Sequence, residues 1–169
     1  DAAHQVTEGS LRFMENRDPR FYQTFAFNGL KWGHKDVTND TVWAYRWRTS
    51  ESTTSGFAYS EGVNITSPVF VRKMSGLNTA SGVHIYDFRY AELQLNLAEC
   101  YAATNQIDLC KQAIGKLRAR VGIPSTNNYG LDTYVFDRAS ALAACLRERQ
   151  VELAYEGCFM MEDGEKLCS

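Results

Sequence analysis

The stretch that decides the fold is Arg89-Tyr90-Ala91-Glu92-Leu93-Gln94-Leu95-Asn96-Leu97-Ala98-Glu99. Ala91, Leu95, Ala98 and Tyr101, with Ile85 and Phe88 before them, recur at helical spacing. The spacing predicts a helix over 87–103 with Asp87 as its N-cap. Thr104-Asn105-Gln106 breaks the pattern. Asp108 can cap a second helix, with Leu109, Ala113, Leu117 and Val121 on one face, and Gly122 and Pro124 give a stop signal. So short a link forces the two helices to pack antiparallel. Alanines 98, 102, 103 and 113 allow close approach.

This hairpin has the shape of a tetratricopeptide unit. One hairpin cannot bury both of its faces, so its stacking neighbours are expected outside this chain. A third helix is expected over 138–156, with Leu142, Leu146 and Leu153 inside and Gly157 ending it. Residues 1–86 are written differently, rich in Thr, Ser, Gly, Asn and aromatics. They read as short strands and long loops. Arg20–Phe27 alternates with period two before the Asn28-Gly29 turn signal, Trp43, Tyr45 and Trp47 alternate within 41–49, and Val69–Met74 is a third strand candidate. The expected fold is mainly α. It comprises a loop and strand-rich part (1–86), a helical part (87–157) and a tail (158–169), together one fragment of a larger domain.

Composition bounds the function. The chain has 169 residues, 44% of them apolar, and a formal net charge of −2. This suits a globular domain and argues against a nucleic-acid partner, which favours a basic face. No apolar run is long enough for a membrane span. The sequence opens at Asp1 without an export signal, so it is expected to be a processed product or a piece of a longer protein. The five cysteines, at 100, 110, 145, 158 and 168, lack the CxxC spacing of a zinc site. They read as small buried hydrophobes, with Cys100 and Cys110 close enough around the turn to pair.

Aromatic residues are the main binding candidates. Ten lie between Phe21 and Tyr59. Trp and Tyr offer a flat apolar face with a polar edge, which suits the CH face and hydroxyl rim of a sugar. Trp32, Trp43, Tyr45 and Trp47 are the candidate glycan contacts. The competing reading is that these rings pack a small β-type core. Glu92 and Glu99 are two turns apart on one helix, about 10 Å. That is too far for the paired carboxyls of a retaining glycosidase. Arg89 with Glu92, and Arg149 with Glu152, read as i,i+3 ion pairs. Asp36, Asn39 and Asp40 offer oxygens but miss the calcium-loop pattern. No GxSxG, P-loop or GxGxxG occurs. No catalytic residue, metal ligand or cofactor is assigned.

Four stretches in fixed order carry a family resemblance: Asn16-Arg17-Asp18-Pro19-Arg20-Phe21-Tyr22, Val71-Arg72-Lys73, the 89–99 helix, and Glu152-Leu153-Ala154-Tyr155-Glu156-Gly157. Together with Leu117-Arg118-Ala119-Arg120-Val121-Gly122-Ile123, they resemble the carboxy-terminal part of the SusD/RagB family. The resemblance implies a tetratricopeptide-containing scaffold without enzymatic activity. It implies an oligosaccharide or polysaccharide ligand, a lipid anchor on the outer face of the outer membrane, and a TonB-dependent transporter as partner. The anchor and the earlier repeats are not in this sequence. Beyond Gly157 the chain departs from the family pattern. The alternative is a helical protein-interaction scaffold with no sugar site.

Overall fold

Asp18 and Pro19 set the first element. In the computed structural model the Asp18 side chain accepts the Arg20 amide, and Pro19 opens helix α1 (Pro19–Thr24). The chain then extends as β1 (Phe25–Phe27). Residues described by the structure are 14–27, 30–38, 40–42, 69–73, 75–76 and 88–156, with the backbone of 158–160 and 166–168. β1 pairs antiparallel with β2 (Val69–Val71), Phe25 opposite Val71 and Phe27 opposite Val69. The strand expected over Arg20–Phe27 is therefore a helical turn followed by a short strand. Phe21 in the helix and Phe25 at its extended end still meet, their rings tilted by 48° with centroids 5.1 Å apart. Residues 41–42 form a bridge against Leu30 and Lys31. The remainder of the 41–49 strand candidate, with Trp43, Tyr45 and Trp47, lies outside the described residues, as does Asp87.

The helical half follows the sequence closely. Helix α2 (Tyr90–Ala103) and helix α3 (Ile107–Arg120) form the expected hairpin. Each ends in a Schellman turn. Asn105 (φ 59°) closes α2, with Gln106 N–H donating to Tyr101 O. Gly122 (φ 82°) closes α3, with Ile123 N–H donating to Arg118 O. α2 begins at Arg89 without a side-chain cap. Asp108 sits inside the first turn of α3, where an acid suits the helix dipole.

Between α3 and the last helix the backbone turns left-handed through Asn127, Asn128, Tyr129 and Gly130. The Asn and Gly residues tolerate this conformation. Tyr129 is held there by its ring, which lies against the bare backbone of Gly115. Helix α4 (Arg138–Glu152) starts with a reciprocal capping box between Asp137 and Ser140. It stops at Glu152 rather than near Gly157. The terminal carbonyls go to side-chain cations instead: Lys73 Nζ donates to Glu152 O (2.7 Å) and Ala154 O (3.1 Å), and Arg89 to Glu152 O (2.6 Å). A last antiparallel pair, β3 (Cys158–Met160) and β4 (Lys166–Cys168), sets Cys158 opposite Cys168.

The core is made of small residues. Ala98, Ala102, Cys110, Ala113, Ile114, Ala141, Ala144 and Cys145 bring the three long helices together, and Leu131 and Val135 from the connection fill the gap. Ala91, Leu95, Leu117 and Leu153 form a second cluster. Leu109 and Leu146 are not inside as expected; they are 38% and 37% exposed. The buried face of α3 keeps Ala113 and Leu117 as expected and adds Cys110 and Ile114, with Leu109 at its edge. The outward face of α2 carries Tyr90, Leu93 and Leu97 at i, i+3 and i+7, all exposed. Among the described residues no helix is long and apolar enough to cross a membrane.

Candidate functional site

Glu148 and Glu152 are one helical turn apart on the buried face of α4. Buried carboxylates need partners, and theirs come from α1, the start of α2 and the end of α3. Arg20 Nη1 lies 2.6 Å from Glu148 Oε1 and 3.1 Å from Glu152 Oε2. Arg118 Nε donates to Glu148 Oε2 (2.9 Å). Arg89 Nη1 donates to Glu152 Oε1 (2.8 Å), which also accepts from Arg120. Asp18 takes the other edge of Arg20 through Nε (2.9 Å) and Nη2 (2.7 Å). Glu156 takes Arg89 from two nitrogens, and Lys73 Nζ at 2.6 Å. The stretches around Asp18-Arg20, Lys73, Arg89 and Glu152–Glu156 thus meet in one ion cluster.

The expected i,i+3 pairs are not the ones formed. Arg89 crosses to α4, and Arg149 crosses from α4 to α2. There Arg149 Nη2 meets Asn96 Oδ1 (2.7 Å) and Glu99 Oε2 (3.2 Å), while Nη1 approaches Glu92 Oε1 at 3.9 Å. Cross-helix pairing gives the buried Arg149 guanidinium its partners through Nη2, while Nη1 is buried without a hydrogen bond. The Cys100–Cys110 pairing is likewise not formed. Cys110 contacts Cys145, and Cys100 is exposed on α2.

Electrostatics assign the cluster a holding role. Burial alone would raise the Glu152 carboxyl. Hydrogen bonds from Arg89 and Arg20, with the nearby Arg120 charge, more than offset that and hold it below the usual carboxylate range. Asp18 is held low in the same way, its burial outweighed by Arg20. A carboxylate kept ionised has no proton to give near neutral pH. A cleft of about 190 Å³ opens beside the cluster, lined by Gln23, Lys73, Arg120 and Glu156 among others. Its lining contains no aromatic ring on which a sugar could stack.

Of the four candidate glycan contacts, the structure places Trp32; Trp43, Tyr45 and Trp47 lie outside the described residues. Trp32 is half-buried. Its indole Nε1 donates to Ser75 Oγ (2.8 Å), and the His34 ring lies 5.9 Å away at a 57° tilt. Behind it, Asp40 is buried and accepts the Gly33 amide (2.6 Å). Arg72 fixes this loop from below by donating to the carbonyls of Lys31, Trp32 and Tyr22. Other rings of the aromatic run contact one another: Phe21 meets Tyr22, Phe25 and Phe27, of which Phe27 is buried, and Phe25 meets the exposed Tyr155 edge-on. Among the described residues no group of acidic, His or Cys side chains could hold a metal ion.

The ion cluster and the helical hairpin are the parts of this molecule that carry its signature stretches, and the SusD family profile matches residues 3–159. The chain belongs to the SusD family. It is similar in structure to a SusD-like protein from Bacteroides fragilis NCTC 9343, with a TM-score of 0.63 and 24% sequence identity. The likeness covers 91% of this chain and 29% of that one. The chain therefore spans under a third of the length of this SusD-like relative. Among curated proteins none matches this sequence.

Glu148 and Arg118 were missed as members of the cluster. The available signal was position. Glu148, Arg149 and Glu152 fall at the helical spacing of Ala141, Ala144 and Cys145, where charge is rare unless paired.

Proposed function

We propose that the full-length protein is a non-catalytic glycan-binding component of an outer-membrane nutrient-uptake system, lipid-anchored on the extracellular face and acting with a TonB-dependent transporter. Membership of the SusD family across residues 3–159 is the observation that carries this reading. Within this segment the glycan contacts are Trp32 and the Trp43–Tyr45–Trp47 stripe. Trp32 has the required chemistry: a half-exposed indole on a loop braced by Arg72, next to a hydroxyl and an imidazole. The ion cluster serves as the brace that fixes loop-bearing segments to the helices. Calorimetric titration of the full-length protein with a panel of soluble α- and β-glycans tests the reading. Binding without release of reducing ends is expected. Saturable hydrolysis abolished by one carboxylate substitution, or no binding to any member alongside no co-purifying transporter, overturns it.

The exposed row of Tyr90, Leu93 and Leu97 favours a second reading, a scaffold that docks further helices. The two readings part on whether any Trp substitution weakens sugar binding.

A further inference from the structure

Cys110 on α3 and Cys145 on α4 face each other inside the main core, their Sγ atoms 3.6 Å apart as thiols. Both are fully buried, and Ala113, Ala141 and Ala144 lie around them. Their contact bridges two helices across a separation of 35 residues. We propose that Cys110 and Cys145 are a cross-linking pair, joined by a disulfide that staples α3 to α4. The Sγ atoms must close from 3.6 Å to a bond of about 2.0 Å. The pair is also chemically asymmetric. The shared hydrogen bond and burial push the Cys145 thiol up, while the same bond brings Cys110 down.

The reaction is thiol–disulfide exchange with an external small-molecule disulfide as oxidant. The thiolate of one of the two cysteines attacks one sulfur of that disulfide, forming a mixed disulfide and releasing one thiolate. The thiolate of the other then attacks the protein sulfur of the mixed disulfide and releases the second. The two protein thiol protons pass to the two released thiolates. The buried pair is beyond the reach of an oxidant in the folded core, so the exchange takes place as α4 docks. Persistence of the link suits an oxidising location such as a cell surface, but the geometry stands independently of the glycan reading.

The test folds the full chain from denaturant with oxidised glutathione, alkylates free thiols, digests, and maps the peptides by mass. The expected product is a linked pair containing Cys110 and Cys145, two hydrogens lighter than the separate peptides, with two glutathione thiols released per link. Cys100, exposed on α2, is expected to be alkylated. Reductant should lower the melting temperature by roughly 6–16 °C, from the loop closed between the two residues. The Cys110→Ala/Cys145→Ala variant should be insensitive to it. Alkylation of both residues, or linkage of either to another cysteine, overturns the proposal. A linked chain that melts at or below the reduced one also overturns it, since a staple fitted to the native core must raise the midpoint.

Discussion

Arg20 and Glu148 are 128 residues apart in sequence, yet Arg20 Nη1 donates to Glu148 Oε1 across 2.6 Å in the interior. The same guanidinium reaches Glu152 and is gripped on its other edge by Asp18. One side chain thus fastens the amino-terminal segment to α4. Replacing a whole buried ion pair by apolar residues is often neutral, whereas removing one partner leaves an uncompensated charge.

Arg20→Ala should therefore destabilise the protein by about 3–5 kcal/mol. It takes the shared partner from two buried carboxylates, leaving Glu148 with Arg118 and Glu152 with Arg89 and Arg120. Arg120→Ala removes a partner from the same Glu152, but its side chain is 55% exposed, and the cost should stay below about 1 kcal/mol. Urea denaturation of both variants checks the ranking. Equal costs would mean that the cluster is solvated and the clamp account wrong.

Acid should act on the same cluster. The folded Glu152 carboxyl titrates below its unfolded value, which is about 4.3. Its contribution is fully present above the unfolded value and is lost as pH falls through the folded one. Asp18, also lowered, adds in the same direction. Melting temperature should vary little on this account between about pH 8 and pH 6, then fall below about pH 4. Glu152→Gln should melt lower at neutral pH and show a shallower acid slope. Parallel slopes in the two proteins would refute the assignment.

How much was legible follows from how local each signal is. The α2–α3 hairpin is legible because apolar spacing, a polar break and an Asn or Gly closure all lie within a few residues of one another. α1 is not, because Phe21 and Phe25 satisfy a period of two and of four alike, and only Asp18-Pro19 breaks the tie. The end of α4 depends on Lys73 and Arg89, which arrive from 79 and 63 residues away. Leu131 and Val135 read as linker because no periodic pattern surrounds them, yet both are fully buried. The candidate site divides the same way. Residue type picks out Trp32, but its brace by Arg72 spans 40 residues.

The core assignment yields a contrast between two leucines. Leu95 is fully buried with Ala91, Leu117 and Leu153, so Leu95→Ala should cost about 2–5 kcal/mol. Leu109 lies at the hairpin's surface, so Leu109→Ala should stay within about 0.5 kcal/mol. Denaturation midpoints measured on both would show a reversed order if the α3 face were the one that Leu109 marks.

Gly115 offers a test in which two effects oppose. Gly to Ala inside a helix ordinarily stabilises by about 0.5–1 kcal/mol. Here the added Cβ would stand 2.9 Å from Tyr129 Cδ2, with a second ring atom at 3.1 Å. Tyr129 cannot simply move away. Its backbone is left-handed, and its carbonyl accepts from Arg118 (2.8 Å). Gly115→Ala should therefore lower the melting temperature, and adding Tyr129→Ala should turn its effect from loss to gain. A stabilising single variant would mean that the ring gives way freely.

Trp32 carries the functional prediction. Its indole is half-exposed and tied to Ser75 rather than packed among the Phe21–Phe27 rings. Trp32→Ala in the full-length protein should therefore weaken glycan binding at least tenfold, about 1.4 kcal/mol. The melting temperature should fall by far less than for a core aromatic, whose loss costs about 3–5 kcal/mol. Trp32→Phe separates the two contributions of the ring. It keeps apolar area for stacking but loses the Nε1 donor to Ser75. Partial retention of affinity in the Phe variant is expected, since stacking on the sugar face needs area more than the donor. Calorimetry and thermal melts on the same two variants decide the matter. If both melt early and neither loses affinity selectively, Trp32 is a packing residue, and the sugar contacts of this protein lie elsewhere.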